Sequence, residues 1–355
     1  MKTILAADIG GTNCRLGLFK LQKNKLSMDK AAWIETGSIA RADALMNAFE
    51  RELETSPEKA NAVSVAIAGP VEECVKGGLS NGNLELDFAP LNEKKKRYYL
   101  INDFMAQAYA VLSPEGERAS WIAGPKKPAI SGVRAVIGAG TGLGQAILAP
   151  LDGNKKVKTS HWLAVASENG HSAFPFVNGA ENDFHTFLRT RLNIPYATGD
   201  ETVTGRGLAA LHEFLTGEKL TPAQVGGQVL SRDTPTLKWF SRFYARACRN
   251  WILSTMCEAG LWIAGGIAAQ NPLVINSEYF HNELYNSPYR SKTWDDFLKS
   301  VPVFLMEDTN SGLWGAARFA QQELEADEPT VENVSNPEKE VPPAMEKMTI
   351  TPESA

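Results

Sequence analysis

Apolar residues run from Ile4 to Ala7 and stop at Asp8-Ile9-Gly10-Gly11-Thr12-Asn13. A short unbroken apolar run of this kind predicts a buried strand. Past the glycines, Leu16 and Leu18 recur at period two with the stem of Lys20 beside them, which predicts a second strand over 14–21. The glycines therefore lie in a strand-turn-strand hairpin. This is neither the strand-to-helix turn of a dinucleotide fold nor a GxxxxGK[ST] loop. Residues 28–36 suit a third strand. Leu45, Met46, Phe49 and Leu53 have helical spacing and mark a helix over 41–54. Asn61 to Ala68 reads as a buried strand halted by Gly69-Pro70. Tyr98-Tyr99-Leu100-Ile101 is a further strand, running into Asn102-Asp103 and then into a helix rich in small residues over 104–112. Ser113 to Gly132, rich in Pro, Gly and Lys, reads as a loop and a domain boundary.

The opening pattern then recurs. Arg134-Ala135-Val136-Ile137 leads into Gly138-Ala139-Gly140-Thr141-Gly142-Leu143-Gly144 and on to Gln145-Ala146-Ile147-Leu148. Two glycine-rich turns, each between strands, predict two related half-domains that offer a turn apiece to one polyphosphate. Lys238 to Met256 has the spacing of a long amphipathic helix, with Trp239, Phe243, Ala247 and Trp251 apolar. Gly260 to Ile267 reads as a buried strand ending in Gly265-Gly266, where a flat ring can come close to the backbone. Ser300 to Leu305 is a last strand and Ser311 to Ala320 a last helix. The small residues of that helix suit packing against the helix at 104–112.

Length and composition add bounds. A chain of 355 residues suggests two domains, and 43% hydrophobic with 22% charged residues suits a soluble globular protein. No apolar run approaches the roughly 18 residues of a membrane span. Asp8 and the glycines interrupt any leader-like pattern, so a cytoplasmic protein is expected. Cys14, Cys74, Cys248 and Cys257 show no CxxC pair or zinc spacing and are expected reduced, with Cys248 and Cys257 in helix cores. The net charge of −5 belongs to the C-terminal segment. Residues 325–355 hold eight acidic residues against two lysines, a balance of −6, so the rest of the chain carries +1. The five prolines of that segment mark it as a disordered tail. No basic patch interleaved with aromatics points to nucleic acid, and Lys94-Lys95-Lys96-Arg97 reads as a solvated loop.

The candidate chemistry sits at the strand ends. Gly10 and Gly11 let backbone N–H groups approach an anion, and Thr12 and Asn13 add side-chain donors. Asp8 lies where a hydrated Mg²⁺ would sit beside a polyphosphate. The same residues also suit an ordinary hairpin turn. Asn102-Asp103 reads equally as a helix N-cap and as a carboxylate at the ligand-binding edge of an α/β sheet. Ser167-Glu168-Asn169-Gly170-His171 and Gly199 to Gly207 are polar clusters set among apolar segments. Gly170 and the lack of further ligands argue against a metal at Glu168 and His171. Hydroxyl recognition fits both residues, and so does a capped helix with a polar loop.

The segments Asp8–Asn13, Ile101–Phe104, Gly138–Gly144, Glu168–His171, the Glu201 loop and Ile263–Ile267 follow one another in this order. Together they resemble bacterial glucokinases, within the sugar kinase, Hsp70 and actin superfamily, over residues 3–322. The resemblance implies an α/β fold of two ribonuclease-H-like (actin/hexokinase-type) domains with mixed sheets flanking an interdomain cleft. Residues 1–112 with 308–324 would form the small domain, 113–307 the large one, and 325–355 the tail. It implies transfer of the γ-phosphoryl of ATP to the 6-hydroxyl of glucose, with Mg²⁺, in the first step of glycolysis. It also implies a homodimer with no nucleic-acid or membrane partner. By the same resemblance Ala7, Asp8, Ile9, Gly10, Gly11, Thr12 and Asn13 would meet the phosphates, with Asp8 reaching Mg²⁺ through water. Gly138, Gly140, Thr141 and Gly142 would close over the β- and γ-phosphates, and Gly265 and Gly266 would line the adenosine. Asp103 would be the base for the 6-hydroxyl, and Asn102, Glu168, His171, Glu201 and Asn81 would bind the other hydroxyls. Asn169 stands where the family has glycine, and Leu84 where its sugar-side loop has tryptophan. The acidic tail is an addition, and the zinc-binding cysteines of the related repressor/kinase group are absent. A kinase for mannose, fructose or an N-acetylhexosamine is the alternative, and a non-catalytic sugar sensor a more distant one.

Overall fold

A computed structural model describes residues 1–93, 97–151, 161–286 and 291–327. Lys94-Lys95-Lys96 and the tail beyond Asp327 lie outside these described residues. The chain opens as an antiparallel meander of β1 (Lys2–Ile9), β2 (Asn13–Gln22) and β3 (Lys25–Glu35). Lys23 and Asn24, at φ 48° and 60°, turn the second hairpin. Helix α1 (Ala42–Leu53) buries Leu45, Phe49 and Leu53 against this meander and returns the chain. Strand β4 (Ala62–Ile67) then pairs parallel with β1. A small sheet of β5 (Val71–Glu72), β6 (Lys76–Gly78) and β7 (Glu85–Asp87) precedes β8 (Tyr98–Asn102), which pairs parallel with β4. The first sheet is therefore ordered β3-β2-β1-β4-β8.

Helix α2 (Asp103–Ala110) leaves β8 directly. The segment expected as a loop over 113–132 holds two elements instead, α3 (Pro114–Arg118) and β9 (Ser120–Ala123). Only Ile122 and Ala123 are buried in β9, a pattern too short to register as a strand in the sequence. Strands β10 (Arg134–Ala139) and β11 (Leu143–Pro150) form the second glycine hairpin, and β12 (Trp162–Ser167) extends it. A helical stretch follows: α4 (Gly179–Leu192), α5 (Gly199–Thr202), α6 (Gly205–Thr216), α7 (Pro222–Gln228) and α8 (Pro235–Thr255). Then come β13 (Gly260–Ala264), α9 (Gly266–Gln270), α10 (Leu273–Asn276), α11 (Glu278–Leu284), α12 (Lys292–Ser300), β14 (Val303–Leu305) and α13 (Ser311–Ala326).

Four sequence-based bounds change here. The double glycine closes β13 and opens α9, so the strand stops at Ala264. The last strand begins at Val303, after α12. The last helix runs to Ala326, into what reads as tail in the sequence, because Leu324 still finds the core. Cys257 is buried, as expected, but lies beyond the end of α8.

The second sheet, β12-β11-β10-β13-β14-β9, repeats the plan of the first. In both, a hairpin and a third antiparallel strand are followed by two parallel strands. Between the sheets lie α13, packed on β1 and β4, and α2, packed on β10, β11 and β12. The two helices touch where a Cβ on Gly315 would stand 1.7 Å from the Ala106 carbonyl oxygen, so only glycine permits the crossing. The core between the sheets joins Ile4, Phe19, Tyr109, Val136, Trp262 and Leu313. On the far side of the second sheet, α8 carries Phe240 and Phe243 into a second core with Phe184 and Ile263. Within that layer Arg246 is fully buried and bonds Glu181, Glu283 and the Pro175 carbonyl. This satisfied ionic cluster anchors the chain just past His171.

Candidate active site

Strands β1, β4 and β8 are parallel, so their C-terminal ends share one edge of the first sheet. The register places Asp8 beside Ala66, and Ala66 beside Ile101, which brings Asp8 and Asp103 to that edge with β4 between them. Asp8 is buried, and its Oδ2 accepts a 2.9 Å bond from Nη1 of Arg15, its cross-strand partner. Arg15 in turn lies over the Trp33 ring at 4.7 Å. The start of α13 abuts Asp8 so closely that a Cβ on Gly312 would stand 2.4 Å from Oδ2. Burial pushes the Asp8 carboxyl up, and Arg15 opposes that shift. The turn is closed by the Gly10 N–H donating to the Asn13 carbonyl at 3.0 Å and by the Thr36 hydroxyl donating to the Gly10 carbonyl at 2.8 Å. Gly11, Thr12 and Asn13 are exposed, and a Cβ on Gly11 would meet nothing within 4 Å.

Asn102 acts as the N-cap of α2. Its Oδ1 accepts from the Phe104 and Met105 N–H groups at 2.9 and 3.3 Å, and its Nδ2 donates to the Gly69 carbonyl at 3.1 Å. Capping leaves the other Nδ2 proton for a ligand, so the two sequence readings of Asn102 are compatible. Asp103 is the first residue of α2. Burial pushes its carboxyl up to about 7, Asp8 adds to the shift, and the Phe104 N–H partly offsets it. Phe104 fixes where this carboxylate stands relative to the second hairpin. Its ring lies over Gly138 and Gly144, where added Cβ atoms would come within 3.1 and 1.7 Å of it.

The second turn is held from below. The Gly142 carbonyl accepts the Gly140 N–H at 2.9 Å, and the Gly140 carbonyl accepts the Gly205 N–H at 3.0 Å. Asp200 Oδ1 accepts the Leu143 N–H at 2.8 Å. A Cβ on Gly140 would meet nothing within 4 Å, so this turn, like that at Gly11, is open to close approach. Gly265, at φ +87°, lies against Ala139 in the neighbouring strand, and a Cβ there would stand 2.7 Å from the Ala139 oxygen. The structure thus brings Gly265 against Ala139, at the start of the second turn and one residue past Gly138.

The polar clusters after β12 meet at the same place. Glu168 and His171 are exposed, with side chains 79% and 65% accessible, and stand 3.4 Å apart. His171 Nδ1 is 3.9 Å from Asp200 Oδ2. Glu201 forms a capping box with Thr198 on α5, and its Oε1 faces Arg206 at 3.5 Å. Burial pushes the Glu201 carboxyl up, but the bonds from Thr198 and the Arg206 charge outweigh it, and the net shift is downward. Glu168 adds to the upward shift at Asp103, so the two acids lie within electrostatic reach. Asn81 stands in the exposed loop after Ser80, whose N–H donates to the Ala68 carbonyl at 3.0 Å, next to the Gly69 that Asn102 holds.

Four residues of this site carried no functional reading in the sequence: Arg15, Phe104, Asp200 and Arg206. A lone arginine inside an apolar strand was a signal for the first, and an acid beside Glu201 for the third. The partners of both are set by tertiary contact. Among the described residues no group of three or more acid, His or Cys side chains could hold a metal ion by itself. A concavity of about 850 Å³ between α1 and the β5-β6-β7 sheet shares no residue with this site.

A doubled sheet plan with an open glycine turn on each half is an α/β fold of the actin/hexokinase-like kind. A sequence model of the family described as Glucokinase matches residues 5–323. Curated glucokinase of Neisseria meningitidis is 28% identical over 335 residues, covering 90% of this chain and 95% of its own length. That of Pseudomonas aeruginosa is 27% identical, with 91% and 96% covered. A solved glucokinase from an Antarctic psychrotroph has TM-score 0.74 at 24% identity, covering 90% of this chain and 99% of that one. Balamuthia mandrillaris glucokinase in complex with glucose has TM-score 0.71 at 20% identity, with 90% and 94% covered. The chain belongs to the glucokinase family, whose members are ATP-dependent sugar kinases.

Proposed function

We propose that the protein transfers the γ-phosphoryl group of ATP to the 6-hydroxyl of glucose, giving glucose 6-phosphate and ADP, with Asp103 as the base. The observation that carries this reading is the placement of Asp103. Its carboxyl is raised to about 7 and is fixed through Phe104 against the second glycine turn. Phosphoryl transfer needs positioning and charge neutralisation more than covalent chemistry. Ala7 to Asn13 and Gly138 to Gly142 meet the phosphates, with backbone donors in the open turns at Gly11–Thr12 and Thr141–Gly142 because the Gly10 and Gly140 N–H groups bond within their turns, and Gly265 and Gly266 line the adenosine. Asn102, Glu168, His171, Glu201 and Asn81 pair with the sugar hydroxyls. Asp103 orients the 6-hydroxyl and accepts its proton as the new bond forms.

The chemistry of the donor set suits Mg²⁺. Burial, and after it the Asp8 charge, raises the Asp103 carboxyl, and Arg15 stands against Asp8 at 2.9 Å. Asp8 would hold the ion through water, in keeping with the few protein ligands Mg²⁺ takes beside phosphates. When bound, it supplies neutralisation of phosphate charge.

In this reading the protein is a cytoplasmic homodimer at the first step of glycolysis, without nucleic-acid or membrane partners. Residues 1–112 with 308–324 move as one body against 113–307. The family resemblance supports the location, the dimer and the division. Among the described residues no helix is long and apolar enough to cross a membrane.

One observation favours a second reading, a kinase for another hexose. Leu84 is buried in the first-sheet core, so the Asn81 loop offers no aromatic face to a sugar there. Coupled measurement of ADP release over glucose, mannose, fructose and N-acetylhexosamines separates the two. Glucose is expected to give the highest kcat/KM. A higher value with another sugar replaces glucose as substrate, and sugar binding without ADP release makes the protein a sensor.

A further inference from the structure

We infer that Asp200 is a positioning residue whose two carboxylate oxygens serve the two halves of the site separately. The inference rests on the proposed ATP and glucose sites. Asp200 is buried at the start of α5. Its Oδ1 accepts the Leu143 N–H at 2.8 Å and so pins the exit of the Gly140–Gly142 turn. Its Oδ2 faces the sugar side, with Arg206 Nη2 at 3.2 Å and His171 Nδ1 at 3.9 Å. Arg206 also reaches Glu201, so one guanidinium spans both acids.

Three loops converge on this one carboxylate. Cβ atoms on Gly142 and Gly170 would stand 3.4 Å from Oδ2 and 2.9 Å from Oδ1. The close approach packs the carboxylate between these loops, and a charged acceptor holds an N–H more firmly than a neutral one. Oδ1 therefore sets the phosphate turn, while Oδ2 sets His171 and, through Arg206, Glu201. Asp200 touches neither reacting atom, and its loss acts on binding rather than on the chemical step.

The two oxygens can be separated in the full-length protein. Asp200→Asn keeps an oxygen for the Leu143 N–H but removes the charge facing Arg206 and His171. Asp200→Ala removes both. In Asp200→Asn the KM for glucose is expected to rise about tenfold while the KM for ATP stays within about threefold of wild type. In Asp200→Ala both KM values are expected to rise about tenfold or more, with kcat at saturation within about fivefold. Arg206→Gln should reproduce the glucose effect alone. Equal shifts of both KM values in Asp200→Asn, as a general loosening would give, overturn the inference. So does an Asp200→Ala protein that shifts neither. If Asp200→Ala does not fold, judged by its thermal melt, the Asp200→Asn split still decides. A wild-type chain that releases no ADP with glucose overturns the proposed function instead, and calorimetric ATP binding to the two variants then tests the Oδ1 role by itself.

Discussion

Asp103 joins two demands at the residue scale. As the proposed base it must be ionised to accept a proton, yet burial and the Asp8 charge raise its carboxyl to about 7. The kcat/KM for glucose should therefore rise about tenfold per pH unit below 7 and level off above it. Asp103→Asn should lower turnover by about 10²–10⁴-fold while calorimetric glucose affinity changes little. The same shift has a stability sign. The folded carboxyl titrates near 7 and its ordinary value is 3.8, so between these pH values the folded form holds more proton than the unfolded form. This group's contribution to stability is then lost as pH rises through that window. Asp103→Asn should accordingly melt higher than wild type at pH 8, with the gap shrinking toward pH 5. A gap that grows on acidification contradicts the raised carboxyl. Asp8 and Asp103 were legible because each ends a recognisable strand. Arg15 and Asp200 were not, because Arg15 acts across a hairpin and Asp200 acts across loops far apart in sequence.

At the scale of elements, glycine sets where the parts can meet. Phe104 rests on Gly144 so closely that Gly144→Ala must displace the ring and, with it, the start of α2. Overpacking of this kind costs about 1–3 kcal/mol, and kcat should fall with stability because Asp103 is the next residue. Gly315→Val drives a side chain into the Ala106 carbonyl at the α2–α13 crossing. It should lower the melting temperature more than Gly11→Ala, whose Cβ has open space. Differential scanning fluorimetry of the three variants checks the order. The glycine hairpins, β4, β8, α2 and α8 follow from apolar spacing, and the structure places them close to where that spacing does. Strands β5, β6, β7 and β9 did not, since two to four residues carry no period. Helix α4 also went unread, having only Glu181, Phe184 and Leu188 buried. The double glycine at 265–266 marked the right place but the wrong element, because a strand end and a helix start share that dipeptide.

For the whole molecule, the repeated turn in the sequence was the strongest sign of architecture. It announced two half-molecules of one plan, and both sheets show that plan. The packing of α2 on the second sheet and α13 on the first puts the crossing of these helices between the halves. Sugar binding to Glu168, His171 and Glu201 on one side and to Asn102 and Asp103 on the other should draw the halves together and exclude water. Small-angle scattering should show a smaller radius of gyration with glucose than without it, and ATP hydrolysis without sugar should be slow. The most direct test of the central claim is detection of glucose 6-phosphate by phosphorus NMR after incubating the protein with ATP, Mg²⁺ and glucose, beside the Asp103→Asn variant. Wild type is expected to form glucose 6-phosphate in step with ADP, and the variant to form it at least about a hundredfold more slowly. ADP without sugar phosphate, or a variant within about tenfold of wild type, would contradict Asp103 as the base of a glucose kinase.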